Sequence, residues 1–195
     1  MDEIINLPLF PLRGVLFPDG VVPLQVFEPR YLKMIGSCLR EETGFGICAI
    51  RSGSEVGLAP DCYSVGTQAQ VIDFSRADNG MLNLVAQGVR RFQILDTEVM
   101  PDQLLVGRIR WLDNPQPLFL PETYQVLQSL LQQLLRQAGE PYADITPKFD
   151  DADWVVGRLV ELLPFALADK QRLLEMDSAS QRLDVLYKDL LAETL

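Results

Sequence analysis

Few side chains in this sequence have the type and spacing to do chemistry. DDADW, Asp150 to Trp154, gathers carboxylates as a metal site would. Read as a calcium loop it fails, with Val155 where glycine is needed and no ligand at the third or fifth position. Acidic residues ahead of a helix stabilise its exposed N–H groups, and that is the reading adopted for this motif. Three cysteines, Cys38, Cys48 and Cys62, form no C-x-x-C pair and leave an odd thiol. They are read as free thiols filling space in a reducing compartment. Histidine is absent, which removes Ser-His-Asp and Cys-His catalysis and every histidine-containing zinc site. A Ser-Lys hydrolase needs a lysine desolvated or placed beside another cation. Lys33, Lys148, Lys170 and Lys188 fall on helices or loops of polar character, so no catalytic lysine is expected. No G-x-x-x-x-G-K-[ST] occurs, hence no phosphate-cradling loop. The expectation is a chain that is not an enzyme and uses no cofactor or metal.

The composition agrees. Hydrophobic residues make up 48% and charged residues 23% of 195, as in ordinary globular proteins. The net charge of -10, spread over both halves, argues against nucleic acid as a partner, since phosphate contacts need clustered Lys and Arg. Arg90-Arg91 and Arg108/Arg110 are too few against that background and read as a solvated sheet face. No window is apolar for about 18 residues, so no membrane span is expected. The acidic start MDEIIN does not suit a secretory signal, which favours a cytoplasmic location.

The elements that must position any site change character along the chain. Ile4 to Leu7 suits a short strand ended by Pro8. A loop follows, with a Pro18-Asp19-Gly20 turn. Val21 to Phe27 reads as a strand that Pro23 confines to an edge or bulge. Pro29 suits the first turn of a helix reaching Leu39, with Leu32, Ile35 and Leu39 on one face. Phe45 to Ile50 is a buried strand, and Arg51 to Pro60 an exposed loop. Alternation over Val65 to Ile72, an Asp78-Asn79-Gly80 hairpin turn, and a return over Met81 to Ala86 give the clearest β signal. Gly88 allows a bulge before Phe92 to Leu95, and Leu105 to Trp111 alternates again. At DNPQPLFLP, Asp113 to Pro121, the period switches to helical. Helices are expected from Tyr124 to Ala138, after Asp153, over Asp169 to Met176, and beyond a Ser178 cap. The fold class is therefore α+β: residues 1–118 a β-rich subdomain, curled or barrel-like with one small helix, and residues 119–195 a helical bundle.

The order of motifs is distinctive. LPLFPLRGVLFPDGVVPL, VFEPRYLKMI, YSVGTQAQVIDF, the DNG turn, LVAQGVRRFQI and LADKQRLLEMDSASQRLDVLYKDL follow one another. Together they resemble the Lon protease N-terminal (substrate-binding) domain, most closely the stand-alone proteins built from that domain alone, over about Ile5 to Leu191. The resemblance implies a PUA-like β pseudo-barrel with one helix, then a helical bundle. It also implies a non-catalytic module that recognises unfolded or degron-bearing polypeptide, in a family whose ATPase and protease work is done by other segments.

Within that frame the prolines of the opening segment would keep it from pairing as one continuous strand, leaving it to wrap the sheet and cover an open edge. Arg13, Glu28 and Arg30 would be paired polar groups in apolar surroundings. Phe10, Phe17 and Pro18, with Arg13, Glu28, Arg30 and Tyr31, are the candidate polypeptide-binding residues. Weak self-association is a further expectation. Two other readings remain open: a small-molecule sensor or enzyme using a pocket in the β subdomain, and an adaptor that partners a complete protease.

Overall fold

The computed structural model describes residues 4–77, 81–113 and 115–193. The chain divides into two compact units, Met1–Leu112 and Asp113–Leu195. The first contains β1 (Ile4–Leu12), β2 (Val21–Val26), α1 (Pro29–Glu41), β3 (Phe45–Ser52), β4 (Asp61–Arg76), β5 (Leu82–Val99) and β6 (Leu105–Trp111). The expected Asp78-Asn79-Gly80 turn lies outside the described residues.

Pro8 does not end β1. From Ile4 to Leu9 the strand runs antiparallel to β6, and from Leu9 to Leu12 it runs parallel to β3. Pro8 therefore pairs with β6 alone and Pro11 with β3 alone. Each proline stands where one flank of the strand is unpaired and a missing N–H costs no ladder bond. β1 thus runs on through Pro8 and Pro11, while the opening segment as a whole does not pair as one continuous strand: β1 ends at Leu12 and β2 begins at Val21. The apolar character of β1 also has a cause. Leu7 and Leu9 enter one buried cluster with Cys48, Phe92, Leu105 and Ile109, while Phe10 enters another beneath α1. A strand buried on both faces needs an unbroken apolar run.

The expected β pseudo-barrel is corrected. The strands make one mixed sheet in the order β2–β5–β4–β3–β1–β6, folded over so that the far half of β5 also pairs with β6. β2 is paired on one flank only, by β5, and stays outside as an edge. Alternation in a sequence identifies strands but not their partners, so it could not reveal the parallel β1–β3 pair; the edge position of β2 was signalled by Pro23 instead. Gly88 does mark a bulge: Gln68 faces Arg90 and Ala69 faces Gly88, leaving Val89 over. A Cβ on Gly88 would sit 2.2 Å from the Phe17 carbonyl oxygen, so glycine is needed there for close approach.

Pro29 opens α1 at its first position, where a missing N–H is harmless. The helix buries Tyr31, Met34, Ile35 and Cys38. Leu39, expected on the buried face, is exposed. The turn at Asp19 has φ 62, a conformation aspartate tolerates, and the Gly20 N–H donates to the Phe17 carbonyl at 3.1 Å.

The second unit contains α2 (Gln125–Ala138), α3 (Ala152–Leu162), α4 (Leu167–Glu175) and α5 (Ala179–Glu193). α3 starts at Ala152 rather than after Asp153. The Asp151 carboxylate accepts from the N–H groups of Asp153 (2.9 Å) and Trp154 (3.3 Å), so the acidic cluster caps a helix. Ser178 caps α5 in the same way through the Gln181 N–H. α3 packs against both α2 and α5, burying Trp154, Val155, Val156, Leu159 and Val160. The Arg158 guanidinium, fully buried, forms two hydrogen bonds with Glu161 at 2.7 and 2.8 Å, the pairing that such a charge requires. No helix of the described residues is long and apolar enough to cross a membrane.

Candidate functional site

The opening segment and the start of α1 meet in an open groove of about 370 Å3, room for a few side chains. Its walls are Phe10 to Gly14 at the end of β1 (Pro11 excepted), Val22 to Phe27 along β2, Glu28 and Tyr31 from α1, and Glu55 and Val56 from the loop after β3. The floor is aromatic. Tyr31 stacks on Phe10 with ring centroids 4.2 Å apart, and Phe10 tilts against Phe45 at 6.1 Å. Phe27 and Val56 stand on the rim, 51% and 54% exposed, as apolar side chains available to a partner.

Behind the aromatic floor lies a buried charge. Arg30, 4% exposed, stands 4.6 Å from the centre of the Tyr31 ring. Its guanidinium donates to the Gln103 carbonyl at 2.7 Å and pairs with the Glu28 carboxylate at 3.0 Å. Glu28 stands at the N-cap of α1, but its side chain makes no capping bond; its carboxylate holds Arg30 and also accepts from the Gly57 N–H at 3.4 Å. Burial pushes the Tyr31 phenol up to about 12, with Arg30 acting in the opposite direction. Arg13 is exposed. It donates from its guanidinium to the Gly53 carbonyl at 2.9 Å and from its backbone N–H to Glu55 at 2.5 Å, which fastens the loop after β3 to the end of β1.

Four of the seven residues singled out in the sequence, Phe10, Arg13, Glu28 and Tyr31, thus line one groove. Arg30 supports it from behind. Phe17 and Pro18 are not part of it: Phe17 is 1% exposed, and its carbonyl lies against Gly88. The sequence reading did not single out Leu12, Val22, Leu24, Phe27, Glu55 or Val56. Phe27 was legible as an aromatic next to a helix start. Val56 sits in a glycine- and serine-rich loop that carries no signal of its own.

Of the groove's ionisable groups, Glu28 is paired with Arg30, the Arg13 guanidinium with the Gly53 carbonyl and Glu55 with the Arg13 backbone N–H, contacts that hold structure rather than set a nucleophile beside a base. Elsewhere, Cys48 and Cys62 are in contact: a hydrogen bond between the thiols raises the pKa of Cys48, assisted by burial, and lowers that of Cys62. Lys170 is half-buried, against expectation, and burial lowers its pKa. Its ammonium donates to the Glu161 carbonyl at 3.1 Å, a structural contact. Among the described residues no group of three or more acidic or cysteine side chains is placed to hold a metal ion.

The sequence profile of the ATP-dependent protease La (LON) substrate-binding domain matches residues 6–191. The chain belongs to this family. A crystal structure titled as a Lon N-terminal domain protein from Xanthomonas campestris superposes with a TM-score of 0.77 at 33% identity, covering 95% of this chain and 98% of that one. The N-terminal domain of a Mycobacterium avium complex Lon protease shares the fold, with a TM-score of 0.61 at 19% identity over 94% of this chain and 97% of the other. Among full-length relatives, the Lon protease of Xanthomonas oryzae is 28% identical over 94% of this chain and 22% of its own length. That of Anaeromyxobacter dehalogenans is 37% identical over 55% of this chain and 13% of its own length. The chain thus spans about a fifth or less of these Lon proteases. It is a non-catalytic domain of the Lon substrate-binding type, and its 195 residues carry no nucleotide-binding P-loop.

Proposed function

We propose that this Lon-type domain is a polypeptide-recognition module that takes apolar stretches of unfolded or degron-bearing chains into the groove between β2, α1 and the end of β1. The observation that carries the reading is the composition of that groove. Phe10 and Tyr31 form a rigid aromatic floor, while Phe27 and Val56 offer exposed apolar surface at the rim. Loosely specified apolar contacts suit a binder that must accept many sequences. Affinity is then modest, with Kd on the order of micromolar. We assign the protein to the reducing cytoplasm, in keeping with an odd set of three free cysteines.

Titration of a fluorescent, reduced and alkylated unfolded polypeptide tests the proposal. The intact protein is expected to bind. The double substitution Phe27→Ser with Val56→Ser, at exposed positions, is expected to weaken binding about tenfold, because each removes part of a buried apolar contact. Circular dichroism checks that its fold is unchanged. Absence of binding by the intact protein, or equal binding by the folded variant, overturns the reading.

A further inference from the structure

The free flank of β2 has a structure that an apolar groove alone does not require. Among the described residues no strand pairs with β2 on the side away from β5. The Gly20 carbonyl accepts from the Gly88 N–H at 2.8 Å, which sets the alternation of backbone direction. Val22, Leu24 and Val26, opposite Ala86, Leu84 and Leu82, turn their backbone groups toward β5. Val21, Pro23 and Gln25 turn theirs outward. Pro23, the residue without an N–H, falls in the outward set, so the ladder to β5 is intact; Val21 is buried, and the accessible part of the edge offers the Gln25 N–H and the carbonyls of Pro23 and Gln25.

The two faces of this edge are both hollow. On the α1 side lies the groove described above. On the opposite side a second hollow of about 390 Å3 runs past Pro23, Gln25, Phe74 and Val85, and Phe74 is 57% exposed there. A strand laid against β2 would send alternate side chains into each. The charged groups at the two hollows are mainly acidic. Glu28 and Glu55 line the first and Asp73 the second, against Arg13 alone. Arg30 neutralises Glu28 from behind, and the whole chain carries a net charge of -10.

We propose that the polypeptide bound by this domain is taken up as an added antiparallel or parallel strand along β2, and that the preferred segment is extended, free of proline, and alternates apolar residues with lysine or arginine. This rests on the polypeptide-binding reading and specifies its geometry and charge. Backbone hydrogen bonds supply sequence-tolerant affinity, the aromatic-floored groove takes the apolar side chains of the alternating segment, and the hollow beside Asp73 takes its cations.

The test uses one ten-residue peptide of alternating valine, phenylalanine and lysine in three forms: unmodified, N-methylated at odd positions, and N-methylated at even positions. N-methylation replaces a donor by a methyl group that also blocks close approach, so a peptide paired on one edge loses binding when the residues whose N–H groups face β2 are methylated. One methylated form is expected to bind about tenfold more weakly than the other, which stays close to the unmodified peptide. Replacing lysine by glutamate is expected to cost a similar factor, less at high salt. Gln25→Pro, which removes an outward donor and no β5 bond, is expected to weaken the unmodified peptide several-fold while leaving the difference between the two methylated forms, because the outward carbonyls of β2 remain. Equal binding of both methylated forms to the intact protein overturns strand addition while leaving groove binding standing. Failure of the unmodified peptide and of the unfolded polypeptide alike overturns both. Sedimentation showing a dimer that Gln25→Pro dissociates, with no peptide binding, assigns the edge to self-pairing and overturns the proposal.

Discussion

At the scale of single residues, the buried aromatic and charged groups beside the groove make a set whose parts depend on one another. Tyr31 is held between Phe10 and the Arg30 guanidinium, and its phenol is pushed up to about 12 by burial. An unfolded chain ionises tyrosine near pH 10. The folded-state value is the higher one, so the stabilisation is present in full below pH 10 and is lost as pH rises through about 12. Urea denaturation across this window is expected to show a steeper loss of stability for the intact protein than for Tyr31→Phe; parallel curves would refute the assignment. The types of Phe10, Arg13, Glu28 and Tyr31 were enough to mark them in the sequence, because each is an aromatic or a charge in an apolar segment. Phe17 carried the same signal, yet it is buried. Residue type shows that a side chain needs an apolar environment but not whether protein or partner supplies it.

At the scale of elements, the prolines are the informative failure. They were legible as interruptions, but Pro8 and Pro11 sit inside a nine-residue strand. A proline rejects one hydrogen bond on one flank, and β1 changes partners at Leu9, so that flank is available at both sites. Pro23 was legible correctly as an edge residue because, among the described residues, β2 has one neighbouring strand. Gly88 was also legible as a bulge, although not for its packing role against the Phe17 carbonyl. Gly88→Ala forces a Cβ to 2.2 Å from that backbone oxygen, and a backbone atom cannot swing aside as a side chain can. Thermal and urea unfolding are expected to show a loss of about 1–3 kcal/mol, the range for overpacking a tight site. An unchanged midpoint would mean that the turn before β2 is softer than this structure implies.

At the scale of the whole molecule, the sequence reading placed its boundary between residues 118 and 119, after the change of period at Asp113 to Pro121, and the division into compact units falls at Leu112 and Asp113. The arrangement of the strands was not. β1 pairs with β6 across about a hundred residues of sequence, and no local pattern encodes a partner so distant. A barrel-like sheet was expected, and although Pro23 marked β2 as an edge or bulge, the hollows beside that edge went unseen. That edge and the groove beside it are the basis for reading the domain as a binder of extended polypeptide. Photo-crosslinking an unfolded polypeptide to the intact protein, with the linked sites read by mass spectrometry, tests this most directly. The account predicts crosslinks concentrated on Leu12 to Gly14, Val22 to Phe27 and Val56, with the polypeptide uncut. Crosslinks confined to the apolar pocket around Leu135, Tyr142 and Phe149, or cleavage of the polypeptide by the purified protein, would contradict it.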